Sequence, residues 1–107
     1  MNTDQLTNEA VRQAITALQT GDDERWFALF TENPELYDEE DKMEFRPFFE
    51  HALGHERFIS IDKVENDGRD IYGYFHSDQW GDFKTYFKFY FNAAGKIKRL
   101  DIGQADY

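Results

Sequence analysis

The sequence predicts an α+β fold in which helices of the first half lie on one face of a curved antiparallel sheet built by the second. Three observations carry this expectation. First, the run Phe83-Lys84-Thr85-Tyr86-Phe87-Lys88-Phe89-Tyr90-Phe91 alternates strictly. Phe83, Phe87, Phe89 and Phe91, with Thr85 between, fall on one side, and Lys84, Tyr86, Lys88 and Tyr90 on the other. That period of two marks a strand with unlike faces, here the central strand of the sheet. Second, apolar residues spaced three and four apart occur only before Gly54. Third, alternating segments punctuated by turn residues fill everything after it.

Taken in order, Leu6, Ala10, Val11, Ala14, Ile15 and Leu18 form one stripe of an amphipathic helix over about Thr3 to Thr20, and Gly21 suits its left-handed end. Asp22 or Asp23 caps a second helix carrying Trp26, Phe27, Leu29 and Phe30. It is expected to end at Asn33-Pro34, since the residue before proline disfavours the helical region. Glu35–Asp38 reads as a short strand and Glu39–Lys42 as a solvated loop. A third helix, from Met43 or Glu44 to Leu53, presents Phe45, Phe48, Phe49, Ala52 and Leu53. Pro47 fits only its first turn.

Arg57–Glu65 is a strand whose alternation slips between Ile61 and Val64, which predicts a bulge or bend. Asn66-Asp67-Gly68 is a hairpin signal. Arg69–Ser77 is the next strand, and Asp78–Gly81 turns into the central one. Ala93-Ala94-Gly95 turns out of it, and Lys96–Gln104 is the last strand. Only Met1-Asn2 and Ala105–Tyr107 are expected to lack order.

A chain of 107 residues suggests one domain, 1–107, and aromatic residues at 18% suggest a core built from rings. With no cysteine there is neither a disulfide nor a thiolate metal site. No apolar run approaches the roughly 20 residues of a membrane helix, and the N-terminus lacks the regions of a signal peptide. A cytoplasmic protein without a membrane partner is expected. Of the net charge of −10, all lies in residues 1–56, with 14 Asp/Glu against 4 Lys/Arg, while residues 57–107 hold 8 of each. Without a basic stripe, nucleic acid is not an expected partner. No serine elbow, phosphate loop or dinucleotide fingerprint is present.

Three stretches carry a family resemblance. These are Val11-Arg12-Gln13-Ala14-Ile15-Thr16-Ala17-Leu18-Gln19-Thr20-Gly21-Asp22, Ala28-Leu29-Phe30, and Phe89-Tyr90-Phe91-Asn92-Ala93-Ala94-Gly95-Lys96-Ile97. In this order the chain resembles the nuclear transport factor 2-like superfamily, in particular its SnoaL-like and ketosteroid-isomerase-like members. The resemblance spans essentially the whole chain. It implies a cystatin-like cone, a curved sheet wrapped around three helices with a deep apolar pocket, and frequent pairing of two copies through the outer sheet face.

The resemblance also implies candidate chemistry. Isomerase-like members place an aspartate base where Asp38 stands. The two groups that hold the developing enolate correspond to Ala14 and Phe87, and neither can donate a hydrogen bond. Losing one oxyanion donor typically costs about 10²–10³ in rate, so steroid isomerisation is not expected. Asp38 is instead expected to be exposed in its acidic run and to titrate near about 3.9, like a free aspartate. An enzyme of the isomerase, polyketide-cyclase or dehydratase kind with Asp38 as general base is the alternative.

His51 and His55 are four residues apart, but Gly54 breaks the helix between them and no third ligand is evident. Neither metal nor cofactor is therefore expected. His76 shares the outer face with Tyr72 and Tyr74. Trp26, Phe30, Phe45, Phe48, Phe49, Phe87, Phe89 and Phe91, with Leu100 and Ile102, converge on the helix side. They line either a pocket for an apolar small molecule or a filled core. Tyr72, Tyr74, Lys84, Tyr86, Lys88 and Tyr90 form the opposite face, expected to meet a second copy in a homodimer or to serve as an interaction surface.

Overall fold

A computed structural model describes all of residues 1–107. Helices α1 (Glu9–Thr20) and α2 (Asp23–Ala28) lead into strands β1 (Phe30–Asp38) and β2 (Asp41–Met43). Helix α3 (Phe45–Ala52) then precedes β3 (Glu56–Glu65), β4 (Asp70–Ser77), β5 (Gly81–Phe91) and β6 (Ile97–Gln104). The strands form one curved, unclosed sheet in the order β2-β1-β6-β5-β4-β3. All neighbours are antiparallel except β1 and β6, which run parallel. A parallel pair needs a long crossover, and α3 with the whole meander lies between these two strands.

Local chemistry sets the helix ends. The Asn8 side chain accepts from the Val11 N–H at 3.1 Å, so α1 begins at Glu9 and not near Thr3. Leu6 is still fully buried ahead of the helix, its carbonyl held by the Arg12 guanidinium at 3.0 Å. Asp22 caps α2 through the Arg25 N–H at 3.1 Å. That helix stops at Ala28, well before Asn33-Pro34. Phe30 already pairs with Ile97, and the register between β1 and β6 shifts between Phe30 and Glu35. Pro34 sits inside that irregularity, where a residue without an N–H is tolerated in a strand.

The expected loop at Glu39–Lys42 is a tight hairpin instead. Glu39 and Glu40 both take left-handed backbone, φ 53° and 72°, and Asp41–Met43 returns as β2. Glutamate carries no signature for that conformation, so the turn was illegible from residue type.

The long meander follows the alternation. Along β5, Thr85, Phe87 and Phe89 are buried while Lys84 and Tyr90 are exposed. In β3 the register slips twice, between Phe58 and Ser60 and between Ile61 and Lys63. Opposite this bulged stretch stands Gly73, where a Cβ would collide with the Ser60 carbonyl oxygen. The free edge of β3 is sealed by side chains of the first helical region. Gln19 both donates to the Phe58 carbonyl, at 2.9 Å, and accepts from the Phe58 N–H, at 2.7 Å. Gln5 donates to the Ile61 carbonyl at 2.7 Å. These amides occupy edge groups that would otherwise invite another strand.

The C-terminal residues, expected to lack order, lie along the outer face. The Ala105 N–H donates to the Lys84 carbonyl at 2.9 Å, and the Tyr107 hydroxyl donates to Asp62 at 2.6 Å. The Tyr107 phenol is accordingly pushed up to about 12 by burial first and by Asp62 second.

Candidate functional site

Between the concave sheet face and α3, twenty-two apolar residues form one buried cluster. Trp26, Phe30, Phe45, Phe89 and Leu100, expected to line a pocket, are packed inside it. Trp26 stands 4.9 Å from Phe30 and 4.7 Å from Phe49, and Phe30 stands 4.5 Å from Phe45, ring centre to ring centre. So these rings fill the deep part of the fold, as a domain this small requires. The Trp26 Nε1–H is buried there without a partner.

The packing stops at one end of the sheet. A cavity of ≈ 650 Å³ opens where β1 ends, β3 begins and β4 turns into β5. Phe75, Thr85, Phe87 and Ile102 come from the sheet side, and Phe48, Phe49 and Ala52 from α3. Thr85 is the single small side chain in the phenylalanine stripe of β5. Its hydroxyl is turned to the Gly103 carbonyl at 2.7 Å, so it neither fills the space nor offers it a free donor. Of the residues expected in a pocket, Phe48, Phe49, Phe87 and Ile102 are in this wall. Phe91, grouped with them in the expected aromatic set, is only partly buried and is not in the wall.

The rim carries the polar chemistry. Asp38, the last residue of β1, is half-buried at the mouth and not fully exposed. Burial pushes its carboxyl above the usual aspartate range, with Glu39 and Asp41 pushing the same way. The expectation of a free aspartate's titration is thus corrected, because β1 delivers Asp38 to the edge of an apolar floor.

Across the mouth stands Glu56, the first residue of β3. Burial is also the main cause that raises its carboxyl, and Asp38 and Asp78 add to it. A hydrogen bond from the Ser77 hydroxyl at 3.1 Å and the nearby His51 oppose the rise. Glu39, His51, Gln79, Trp80, Asp82 and Gln104 complete the rim. Trp80 is 72% exposed at the tip of the β4–β5 turn.

Sequence reasoning missed Glu56, Gln79, Trp80 and Asp82. The one available signal was a tryptophan in a turn, an unusual place for so large an apolar ring. Ala14, at one position implied for an oxyanion donor, is fully buried in α1 and does not line the cavity. Phe87, at the other, is part of the apolar wall.

The histidines take other roles. Helix α3 ends at Ala52, and the His51 and His55 rings stack at 6.2 Å. His55 contacts Asp78 at 3.1 Å, while His76 bridges Asp82 at 2.7 Å and Asp78 at 2.8 Å. Those bonds, Asp82 first, raise the His76 pKa. No group of three or more His, Asp or Glu is arranged to hold a metal ion.

On the outer face, Lys63 lies 4.5 Å over Tyr72 and Lys88 lies 5.2 Å over Tyr86. Arg99 lies 5.1 Å from the Tyr90 ring, and Lys84 donates to the Tyr107 carbonyl at 2.7 Å. Among the tyrosines of the set expected to meet a second copy, Tyr74 is the most open, at 40% exposure. No helix is long and apolar enough to cross a membrane.

Asp38 and Glu56 give a pH signature. A carboxyl whose folded pKa is raised binds its proton more tightly in the folded chain. The stability this contributes is fully present below the unfolded pKa and is lost as pH rises through the folded one. Glu56→Gln should therefore gain stability relative to the parent at neutral pH, and the gain should vanish below about pH 4, near the unfolded glutamate pKa. Urea midpoints of both proteins across that range measure it. A gain that grows on acidification would contradict the buried placement of Glu56.

No protein-family model matches the sequence, and no curated protein matches it. Similarity appears at the level of structure. A nuclear transport factor 2-like protein of unknown function from Cytophaga hutchinsonii superposes with a TM-score of 0.74 at 16% identity, over 98% of this chain and 95% of that one. A protein of Sinorhizobium meliloti, provisionally assigned as a polyketide cyclase, gives 0.75 at 14% identity, over 95% and 99%. The orange carotenoid protein of Anabaena, in a structure binding canthaxanthin, gives 0.70 at 18% identity over 89% of this chain and 35% of that one. With element order, sheet topology and these superpositions together, the chain has the nuclear transport factor 2-like, cystatin-like fold.

Proposed function

We propose that the cavity at the Asp38–Trp80 end binds a small, largely apolar molecule. The observation that carries this is ≈ 650 Å³ of space lined by the part-exposed rings of Phe48 and Phe83 and backed by Phe49, Phe75, Phe87 and Ile102. Ligand sites typically occupy about 300–1,000 Å³ and combine such walls with a few polar groups. One structural neighbour, of which this chain spans 35%, is a carotenoid protein whose structure binds canthaxanthin, an apolar molecule.

A neutral apolar dye such as Nile red tests it. At roughly 0.3 kcal/mol per heavy atom, a dye of about two dozen heavy atoms gives a Kd on the order of 10 μM. Amide shifts in an NMR titration should saturate and centre on Phe48, Phe75, Phe87 and Ile102. Shifts confined to the outer tyrosine face, or none that saturate, would remove the proposal.

Proton transfer by Asp38 is the second reading, favoured by its burial-raised carboxyl. A base that holds its proton above the usual aspartate range is better matched to chemistry near neutral pH. The polyketide-cyclase assignment of one structural neighbour points the same way. With Ala14 and Phe87 in place of donors, the substrate would have to form an anion that needs little stabilisation from the wall.

A further inference from the structure

We infer that the molecule this cavity takes carries a positive charge at its polar end, as a protonated amine or quaternary ammonium on an aromatic or aliphatic body. The inference rests on the cavity being a ligand site, and it concerns which ligand.

Four of the seventeen lining residues are acidic, namely Asp38, Glu39, Glu56 and Asp82, and none is lysine or arginine. Two of the four are already engaged. Asp82 is held by His76, and Glu39 accepts the Gln104 N–H. Asp38 makes no side-chain hydrogen bond or ion pair, and Glu56 has only the Ser77 hydroxyl. These two are also half-buried, and each stands at the boundary between apolar wall and solvent.

Partly desolvated carboxylates that face one another repel, and the low-dielectric wall strengthens that repulsion. Asp38 is among the lesser causes, behind burial, that raise the Glu56 pKa, while His51 on the same rim opposes the rise. A neutral ligand would remove more water from both acids and return nothing to them. An anion would add to the repulsion. A cation placed between them would satisfy both while its apolar body covers Phe75, Phe87 and Ile102. The exposed Trp80 ring at the mouth adds a face on which a cation can rest. A bare divalent ion fits less well, since no three ligating groups converge.

A matched series tests this at neutral pH and low salt, namely 2-naphthylmethylamine, 2-naphthylmethanol and 2-naphthoate. They share one ring system and differ in charge. The amine should bind about tenfold tighter than the alcohol, the scale of one charge-assisted hydrogen bond, and the naphthoate should bind weakest. Added salt should narrow the amine-to-alcohol ratio. In Asp38→Asn and in Glu56→Gln the ratio should fall, and in the double variant it should approach one.

Should the double variant fail to fold, the single variants and the salt series on the parent protein carry the same readout. If alcohol and amine bind equally, with shifts at Phe75, Phe87 and Ile102, the cavity is a ligand site and the charge inference is overturned. An amine preference untouched by both substitutions overturns it too. If none of the three produces shifts at those residues, the cavity reading itself falls and the inference goes with it.

Discussion

Phe89→Ala is expected to destabilise the protein by about 3–5 kcal/mol, the range for deleting a buried phenylalanine. Phe89 is 1% exposed in the middle of β5, opposite Leu100 of β6 and 6.2 Å from the Phe87 ring. It sits between two strands that each have a partner on their far side, so the backbone cannot collapse into the space left behind. Because β5 alternates, the adjacent Lys88 points to the outer face and lies over Tyr86. Lys88→Ala should therefore stay within about 0.5 kcal/mol of the parent. Urea unfolding of the pair measures both costs. Equal costs at the two positions would overturn the central-strand assignment, whereas a large cost at Phe89 alone supports it. Phe89 does not line the cavity, so the folded variant should keep the cavity at the Asp38–Trp80 end.

Gly73→Ala is expected to cost about 3 kcal/mol or more, at or beyond the upper end for overpacking. The glycine is in the middle of β4, paired with Ile61 and Thr85. A methyl group there would strike the Ser60 carbonyl oxygen and approach the Phe58 ring at 3.0 Å. Ser60 is backbone, and it belongs to a strand bent by two register shifts. That strand is also tied to α1 through both hydrogen bonds of Gln19 to Phe58. Moving Ser60 away would break the tie or slip the β3–β4 register. A slip by one residue would turn Phe58 and Ile61 outward. A denaturation midpoint shift equivalent to under about 1 kcal/mol would mean that the bulge relaxes freely, contrary to this packing.

Much of the architecture was legible in the residues. The alternation of Phe83–Phe91 and the hairpin at Asn66-Asp67-Gly68 depend on neighbours within one segment, and both appear where expected. The slip between Ile61 and Val64 marked the second β3 bulge. The errors fell where a distant segment overrode a local signal. Asn33-Pro34 reads as a helix end, yet Leu29 already accepts the Ile97 N–H at 3.0 Å and draws the chain into the sheet. The run Asp38-Glu39-Glu40-Asp41 reads as solvent-loving loop. The Ile102 carbonyl nevertheless accepts the Glu39 N–H at 3.0 Å, which folds the run into a hairpin. Tyr107 reads as a loose end until Asp62, 45 residues away in sequence, accepts its hydroxyl.

By itself the sequence determined the three helices, the four strands of the meander and the inward face of β5, because periodicity records how one segment divides between water and interior. Only the tertiary structure decided which rings were needed to fill the core and which were left to line a cavity. Thr85, the one small side chain in the phenylalanine stripe of β5, contributes to that division by lining the cavity without reaching into it. The tertiary structure also decided that Asp38 and Glu56, eighteen positions apart and on strands separated by three others in the sheet order, share one mouth. Their charge is read through low-dielectric surroundings assembled from β4, β5, β6 and α3, and no local pattern around either residue encodes those surroundings.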